Sequence, residues 1–308
     1  MALFFSRRTF NAQQKKFTNN PAALTRYVAI TGTNPGGGGW AGGILSRDNW
    51  LAQVRQAGGT RDVVIYVHGF NTSQADMLRR MERMETGLRA HGYTGAVVSY
   101  DWPSDGSVLN YNRDRSDAKE VAQYLVKDGM VPLLGMSPKP RVHLMAHSMG
   151  ALVVLRGFSD FGDAIGPGQG AWSADQVIFA AGDVDSVWLE RGAWGSLVLN
   201  QRSRRFTNYY SGRDRVLALS GGLINGGRER VGHVGMPSLL ATGHQDVYCN
   251  EQYKKDVPTS DQTMTYSHRW WFDNDGFLQD MALTLSGRAA DQMPTRRATN
   301  IADQALLV

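Results

Sequence analysis

Apolar positions along the chain fall into short continuous runs separated by longer stretches of helical spacing. The runs are Val63-Val-Ile-Tyr-Val67, Gly95 to Tyr100, Val142 to Ala146, Val177-Ile-Phe-Ala-Ala181, Thr207 to Ser211 and Asp246 to Cys249. Runs of this kind predict strands, and the continuous apolar ones predict strands buried on both faces. Between the first two, Met77, Met81, Met84 and Leu88 recur at helical spacing. A second helix is expected over Ser116 to Val126, with Ala118, Val121, Ala122 and Leu125 on one face. Strands joined by helical stretches make βαβ units. The expectation is an α/β fold with a mainly parallel central sheet and helices on both faces.

The flanks carry weaker patterns. Arg26 to Ile30 reads as a short strand, and Ser46 can cap a helix through Trp50, Leu51 and Val54 that ends at Gly58-Gly59. Gly36 to Gly39 reads as a flexible turn, since no Gly-Lys-Ser/Thr ending follows to make it a phosphate loop. Residues 1–24 are polar enough to be expected only loosely attached, and the tail from Gly287 to be peripheral. The organisation predicted is an N-terminal extension over 1–60 with a first strand and helix, a core over 61–286, and a C-terminal tail over 287–308. No repeat or linker divides the core.

One junction carries chemistry. The run Val142 to Ala146 leads without a loop into His147-Ser-Met-Gly150, and an apolar helical stretch, Ala151 to Leu155, follows at once. Strand, one-residue turn, helix in the pattern small-x-Ser-x-small is a nucleophile elbow. Large side chains at 146 or 150 would collide with the neighbouring strand or helix, hence Ala and Gly. The helix beginning near Met149 directs its positive end toward whatever Ser148 attacks.

A serine hydroxyl needs a base, and the base needs a third group to fix its tautomer. Behind such an elbow the acid and then the histidine follow in chain order. Asp214 comes after the Thr207–Ser211 run, in Ser211-Gly-Arg-Asp214, and is the preferred acid. Asp183, in Gly182-Asp-Val-Asp185, is the alternative. Of the seven histidines, only His268 lies after the last strand and before a terminal helix, so it is the preferred base, with His244 second. His143 reads as core, while His147 lines or buttresses the pocket. The oxyanion donors expected are the N–H groups of Met149 and of Phe70, in His68-Gly-Phe-Asn71, with Asn71 the second choice. His68 reads as a buttress under that loop. Asn71, Trp102 and His147 are expected at the substrate, and Trp270 and Trp271 either there or in plain packing.

Composition narrows the partners. The 308 residues are 42% apolar, with 33 basic against 28 acidic side chains and a net charge of +5. The densest basic patch, Arg202, Arg204 and Arg205 with Arg213 and Arg215, is broken by Tyr209, Tyr210 and Asp214 and reads as a solvated face, so no nucleic acid is expected. A single cysteine, Cys249, excludes an internal disulfide framework and fits a reducing compartment. Ser6-Arg-Arg-Thr-Phe10 has the look of a twin-arginine export signal, but polar Asn11 to Lys16 replaces the apolar segment such a signal needs. No apolar stretch has membrane-spanning length, and the expected location is the cytoplasm. No His, Cys or Glu cluster has metal-ligand spacing, so neither metal nor cofactor is expected.

Six strings appear in order: His68-Gly-Phe-Asn71, Asp101-Trp-Pro-Ser-Asp-Gly106, Met145-Ala-His-Ser-Met-Gly150, Phe179-Ala-Ala-Gly-Asp-Val-Asp185, Tyr210-Ser-Gly-Arg-Asp-Arg-Val-Leu-Ala-Leu-Ser220 and Ser267-His268. Over roughly residues 60–285 the chain thereby resembles a bacterial α/β-hydrolase family, esterase/lipase-like and of poorly characterised function. Gly182 departs from that pattern, which leads one to expect Pro. The resemblance implies an α/β-hydrolase fold and a Ser148–Asp214–His268 triad. Together the readings predict hydrolysis of a carboxylic ester, a small molecule of small or medium acyl chain, through an acyl-enzyme. Lactone, thioester or amide hydrolysis, acyl transfer, or a silent binding scaffold are the rivals. The short span over residues 182–206 predicts no large lid.

Overall fold

The computed structural model describes residues 1–31, 42–58, 62–104, 111–165, 172–237, 241–299 and 304–306. The expected glycine turn at 36–39, Gly59, and Asp105-Gly106 lie outside the described residues.

The strands are β1 (Ala2–Asn11), β2 (Lys16–Ile30), β3 (Gly42–Leu45), β4 (Asp62–Val67), β5 (Ala96–Asp101), β6 (Arg141–His147), β7 (Ala174–Ala180), β8 (Ser203–Tyr210), β9 (His244–Tyr248), β10 (Arg296–Ala298) and β11 (Gln304–Leu306). They form one sheet in the order β10-β11-β9-β8-β7-β6-β4-β5-β1-β2-β3. From β11 through β9, β8, β7, β6, β4 and β5 to β1 every pairing is parallel, and antiparallel hairpins close both edges. The helices are α1 (Arg47–Ala57), α2 (Gln74–Ala90), α3 (Tyr111–Tyr124), α4 (Val131–Leu134), α5 (Gly150–Ile165), α6 (Trp194–Arg202), α7 (Arg215–Leu219), α8 (Val231–Val234), α9 (Asn250–Asp256), α10 (Met264–Arg269) and α11 (Asp275–Ser286).

Successive residues of a strand face opposite sides, and the core divides accordingly. Val63, Ile65 and Val67 of β4 pack with residues of α1, α3, α5 and α6 on one side; Val64 and Tyr66 pack with residues of α2, α9 and α11 on the other. Covered on both faces, β4 and β5 contain no exposed residue, as their unbroken apolar runs require. The chain leaves β4 for β5 on one side and later places β6 on the other. Beyond the carboxyl ends of strands at such a reversal lies the crevice where α/β sheets bind ligands.

Two expectations about the flanks are corrected. Residues 1–24 are not loosely attached: β1 lies inside the sheet, parallel to β5, with Leu3, Phe4 and Phe5 buried. Its polar residues misled because three of them are buried and partnered: Ser6 donates to Asp101 Oδ2 at 2.8 Å, Arg7 donates to Ala23 O at 3.1 Å, and Arg8 pairs with Asp101 at 2.6 Å. Likewise the tail from Gly287 supplies β10 and β11, and Arg296 is anchored on buried Asp280 at 2.7 Å. Between β7 and β8 the described residues form only a 3₁₀ turn, Ser186–Leu189, and α6, so no lid domain is built there. Among the described residues no helix is long and apolar enough to cross a membrane.

Candidate active site

Ser148 sits between the end of β6 and the start of α5 with φ of +56°, the left-handed region that side-chain-bearing residues rarely occupy. Its backbone is held from both sides: its N–H donates to Ala180 O at 3.2 Å, and its carbonyl accepts from Asp183 N–H at 2.9 Å. Gly150 must be small, because a Cβ there would fall 2.3 Å from Val67 O. Ala146 is fully buried.

The loop after β4 closes over the elbow. A Cβ on Gly69 would lie 2.7 Å from Ser148 Cβ and 3.2 Å from its Oγ, so only glycine lets the loop come this near. Among the described residues neither the Phe70 nor the Met149 N–H donates to a protein acceptor. Asn71 takes a φ of +51° to turn the loop, and the half-buried Phe70 ring meets Tyr111 edge-on at 5.3 Å.

Beneath the loop His68 is the expected buttress, and Arg8, Asp101 and Trp102, which the chain order did not single out for this role, complete its support. His68 Nδ1 bonds Gly69 O at 3.0 Å, and its ring stacks on Trp102 at 5.1 Å with planes 7° apart. Arg8 donates to Thr72 O and Ser104 O, both at 3.0 Å, while its Nε bonds Asp101. Burial pushes the Asp101 carboxyl up, but Arg8 and His68 outweigh it and hold the acid well below its usual range. Burial also pushes the His68 imidazole down, which Asp101 offsets only in part. A carboxylate, Asp101, ending the fully buried β5 was the available signal. Trp102 corrects an expectation here: it is fully buried and donates its indole N–H to His68 O at 2.7 Å, so it shapes the loop instead of facing a substrate.

On the other side of the elbow, Asp214 caps α7, its Oδ1 accepting from Leu217 N–H at 2.9 Å. Its Oδ2 lies 2.6 Å from His268 Nδ1, with the carboxylate fully buried. His268 belongs to the last turn of α10 and not to a loop, and Ser267 fastens that helix by accepting from Arg215 N–H at 3.2 Å. His147 donates from Nε2 to His268 O at 2.8 Å and packs its ring 4.7 Å from the His268 ring, so the residue before Ser148 buttresses His268. A carbonyl only accepts, which fixes the proton of neutral His147 on Nε2. Burial first, then His268 and Arg80, push this imidazole well below its ordinary value.

The alternative acid is occupied elsewhere. Asp183 accepts from Arg230 Nε at 2.7 Å, Ser220 Oγ at 2.9 Å and Tyr111 OH at 2.8 Å. Arg230 also pairs with Asp185, so both carboxylates that follow β7 belong to one buried cation. His244, the second choice as base, is buried against Phe206 at 5.2 Å at the start of β9. His143 is buried between Asp62 and Asp175, 3.8 and 3.7 Å away, as a core residue. Trp270 and Trp271 are fully buried in packing. Among the described residues no three His, Cys, Asp or Glu side chains are grouped to hold a metal.

Residues 45–243 match the family described as "Alpha/beta hydrolase of unknown function (DUF900)". An uncharacterized protein of Nostoc sp. is 25% identical over 116 residues, and the chain spans 30% of the length of this curated relative, with 30% of the chain itself covered. Among solved structures, a cutinase-like protein from Cryptococcus sp. is 16% identical with a TM-score of 0.35, covering 76% of this chain and 98% of that one. A phospholipase from Legionella pneumophila is 10% identical with a TM-score of 0.36, covering 80% and 67%. A metagenomic carboxyl esterase is 12% identical with a TM-score of 0.34, covering 77% and 78%. The family match embraces most of the central parallel strands, the Gly69 loop, the elbow and Asp214, and by it the chain belongs to the α/β hydrolases of unknown function.

Proposed function

We propose that the protein is a serine hydrolase that cleaves carboxylic esters of small or medium acyl chain through an acyl-enzyme. The observation that carries this reading is the 2.6 Å bond between buried Asp214 and His268 Nδ1, with His268 O tied to His147, the residue preceding a left-handed Ser148. The bond occupies Nδ1 and leaves Nε2 as the basic nitrogen.

In this mechanism Ser148 Oγ forms a bond to the acyl carbon as its proton passes to His268 Nε2. The carbonyl π pair moves to oxygen, where the N–H groups of Phe70 and Met149 hold it. Collapse expels the alcohol, which takes the proton from His268. Water, deprotonated by the same nitrogen, then releases the acid and restores Ser148. Asp214 keeps the imidazole in the required tautomer and stabilises its cation. Phe70 and Tyr111 furnish an apolar wall, and the short β7–β8 connection leaves the strand ends open to modest substrates. Buried Cys249 accords with a reducing cytoplasm.

The test is a p-nitrophenyl ester panel from acetate to laurate, run on the parent, Ser148→Ala, Asp214→Asn and Asp183→Asn. Expected are turnover by the parent on the shorter chains, loss in Ser148→Ala, and a kcat lower by about 10⁴ in Asp214→Asn. Equal turnover by Ser148→Ala and the parent would overturn the reading, and loss confined to Asp183→Asn would overturn the choice of acid.

A further inference from the structure

Beside His268, α2 and α10 leave a surface cleft of about 240 Å³. Arg79, Arg80 and Arg83 line it from α2, and Tyr266, Arg269 and Phe272 line it from α10 and the turn that follows. We infer that this cleft binds an oxyanion, a phosphoryl or carboxylate group carried by the substrate at a distance from its scissile ester. The placement relative to the ester rests on the hydrolase reading above; the binding of an anion does not.

The charge balance is the first argument. Two carboxylates line the cleft, and each is already engaged: Asp76 pairs with Arg79, and Asp273 with Arg83. Among the described residues no carboxylate lies within ion-pair distance of Arg80 or Arg269. The direct contacts of Arg80 are neutral: it donates to Thr72 Oγ1 at 3.1 Å and lies 5.7 Å over the Phe272 ring, while Asp76 acts on it only at longer range. Four arginines thus face two carboxylates in one concave surface, and two of the guanidinium groups have no directly paired carboxylate, which leaves a net positive potential there. The Arg269 guanidinium is pushed below its ordinary value, first by burial and then by Arg80, and Asp76 and Asp273 offset this only in part. A solvated basic face would spread such charges; here two helices bring them together.

The chemistry of the donors is the second argument. A guanidinium presents paired N–H groups that match the spacing of carboxylate or phosphoryl oxygens. The Tyr266 phenol is raised above its ordinary value, chiefly by burial, and so keeps its proton as a further donor. Position is the third. Arg269 directly follows His268, and the Phe272 ring that lines the cleft lies 5.2 Å from the ring of His147, the residue before Ser148. The Phe272 and His147 side chains stand between the cleft and Ser148, so the ester would lie over them, its charged end in the cleft and its acyl carbon at Ser148.

Two measurements test this. Inorganic phosphate is titrated calorimetrically into the parent, Arg269→Gln and Arg269→Lys at low and high salt. Separately, kcat/KM is compared for p-nitrophenyl hemiglutarate and for neutral p-nitrophenyl valerate. Expected is phosphate binding that weakens with salt, falls about tenfold in Arg269→Gln and recovers in part in Arg269→Lys. The parent should favour the hemiglutarate ester, and Arg269→Gln should lose that preference, its kcat/KM falling about tenfold further on hemiglutarate than on valerate. Phosphate binding that is absent in the parent, or undiminished in Arg269→Gln, overturns the site. Binding lost in the variant without any preference between the two esters overturns its assignment to the substrate. Binding lost in the variant while the parent hydrolyses neither ester upholds the anion site and overturns the hydrolase reading.

Discussion

Gly69→Ala tests the proposed oxyanion role of the loop after β4 most directly. The added Cβ would stand 2.7 Å from Ser148 Cβ, 3.1 Å from His147 O and 3.2 Å from Ser148 Oγ, against an ordinary carbon–carbon contact of about 3.5–4.0 Å. The elbow cannot give way, because the Ser148 N–H and carbonyl are bonded to Ala180 and Asp183. The loop therefore has to recede by about 1 Å, carrying the Phe70 N–H with it, and a misplacement of that size costs about 100-fold in rate. In free energy this is about 2.7 kcal/mol of transition-state stabilisation. Overpacking should lower the stability by a further ~1–3 kcal/mol. The assay is kcat and KM on p-nitrophenyl butyrate, with urea unfolding on the same preparation. KM should change little, since the oxyanion exists only in the transition state. A folded Gly69→Ala enzyme with the parent kcat would refute both the donor assignment and the contact on which it rests.

Arg8→Met leaves the Asp101 carboxylate buried without its main partner and should cost about 3–5 kcal/mol in urea unfolding; a loss below 1 kcal/mol would show the pair to be dispensable. Because Asp101 is held below its usual range when folded, its contribution is present above the ordinary carboxylate pKa. That contribution disappears as pH falls through the lowered value, and the deficit of Arg8→Met should shrink in acid. His244 is pushed down to about 4 by burial, and neither ring nitrogen has a partner among the described residues. Between its ordinary value of 6.5 and that level the unfolded chain takes a proton the folded chain refuses, so stability falls as pH drops across the window, by up to about 3 kcal/mol. His244→Leu should flatten this slope in thermal unfolding from pH 7 to pH 4; an unaltered slope would assign it to another group.

The Gly69 loop and the elbow were legible because their signals are local. A tight turn demands Ala146 and Gly150 whatever surrounds it, and unbroken apolar runs such as Val63–Val67 announce burial on both faces. Chain order placed Asp214 and His268 behind the elbow, and the structure brings those two together at 2.6 Å. What separates Asp214 from Asp183 is remote: Arg230, 47 residues from Asp183, occupies that carboxylate together with Tyr111 and Ser220. Trp102 shows the same limit. Its aromatic character suits a pocket wall, and only the bond to His68 O reveals a loop support.

Periodicity and turn chemistry act over a few residues, so the linear order of side chains determined the parallel sheet, its elbow and the candidate triad. The partner of a buried charge acts over any separation in the chain. Tertiary structure alone decided that Arg8 enters the sheet to pair with Asp101, 93 residues on, and that α2 arginines converge on Arg269. A guanidinium reads the same in a sequence whether it ends in solvent, against a carboxylate or in an unneutralised cleft. Desolvation and the distance to the nearest opposite charge distinguish the three, and both are properties of the folded chain.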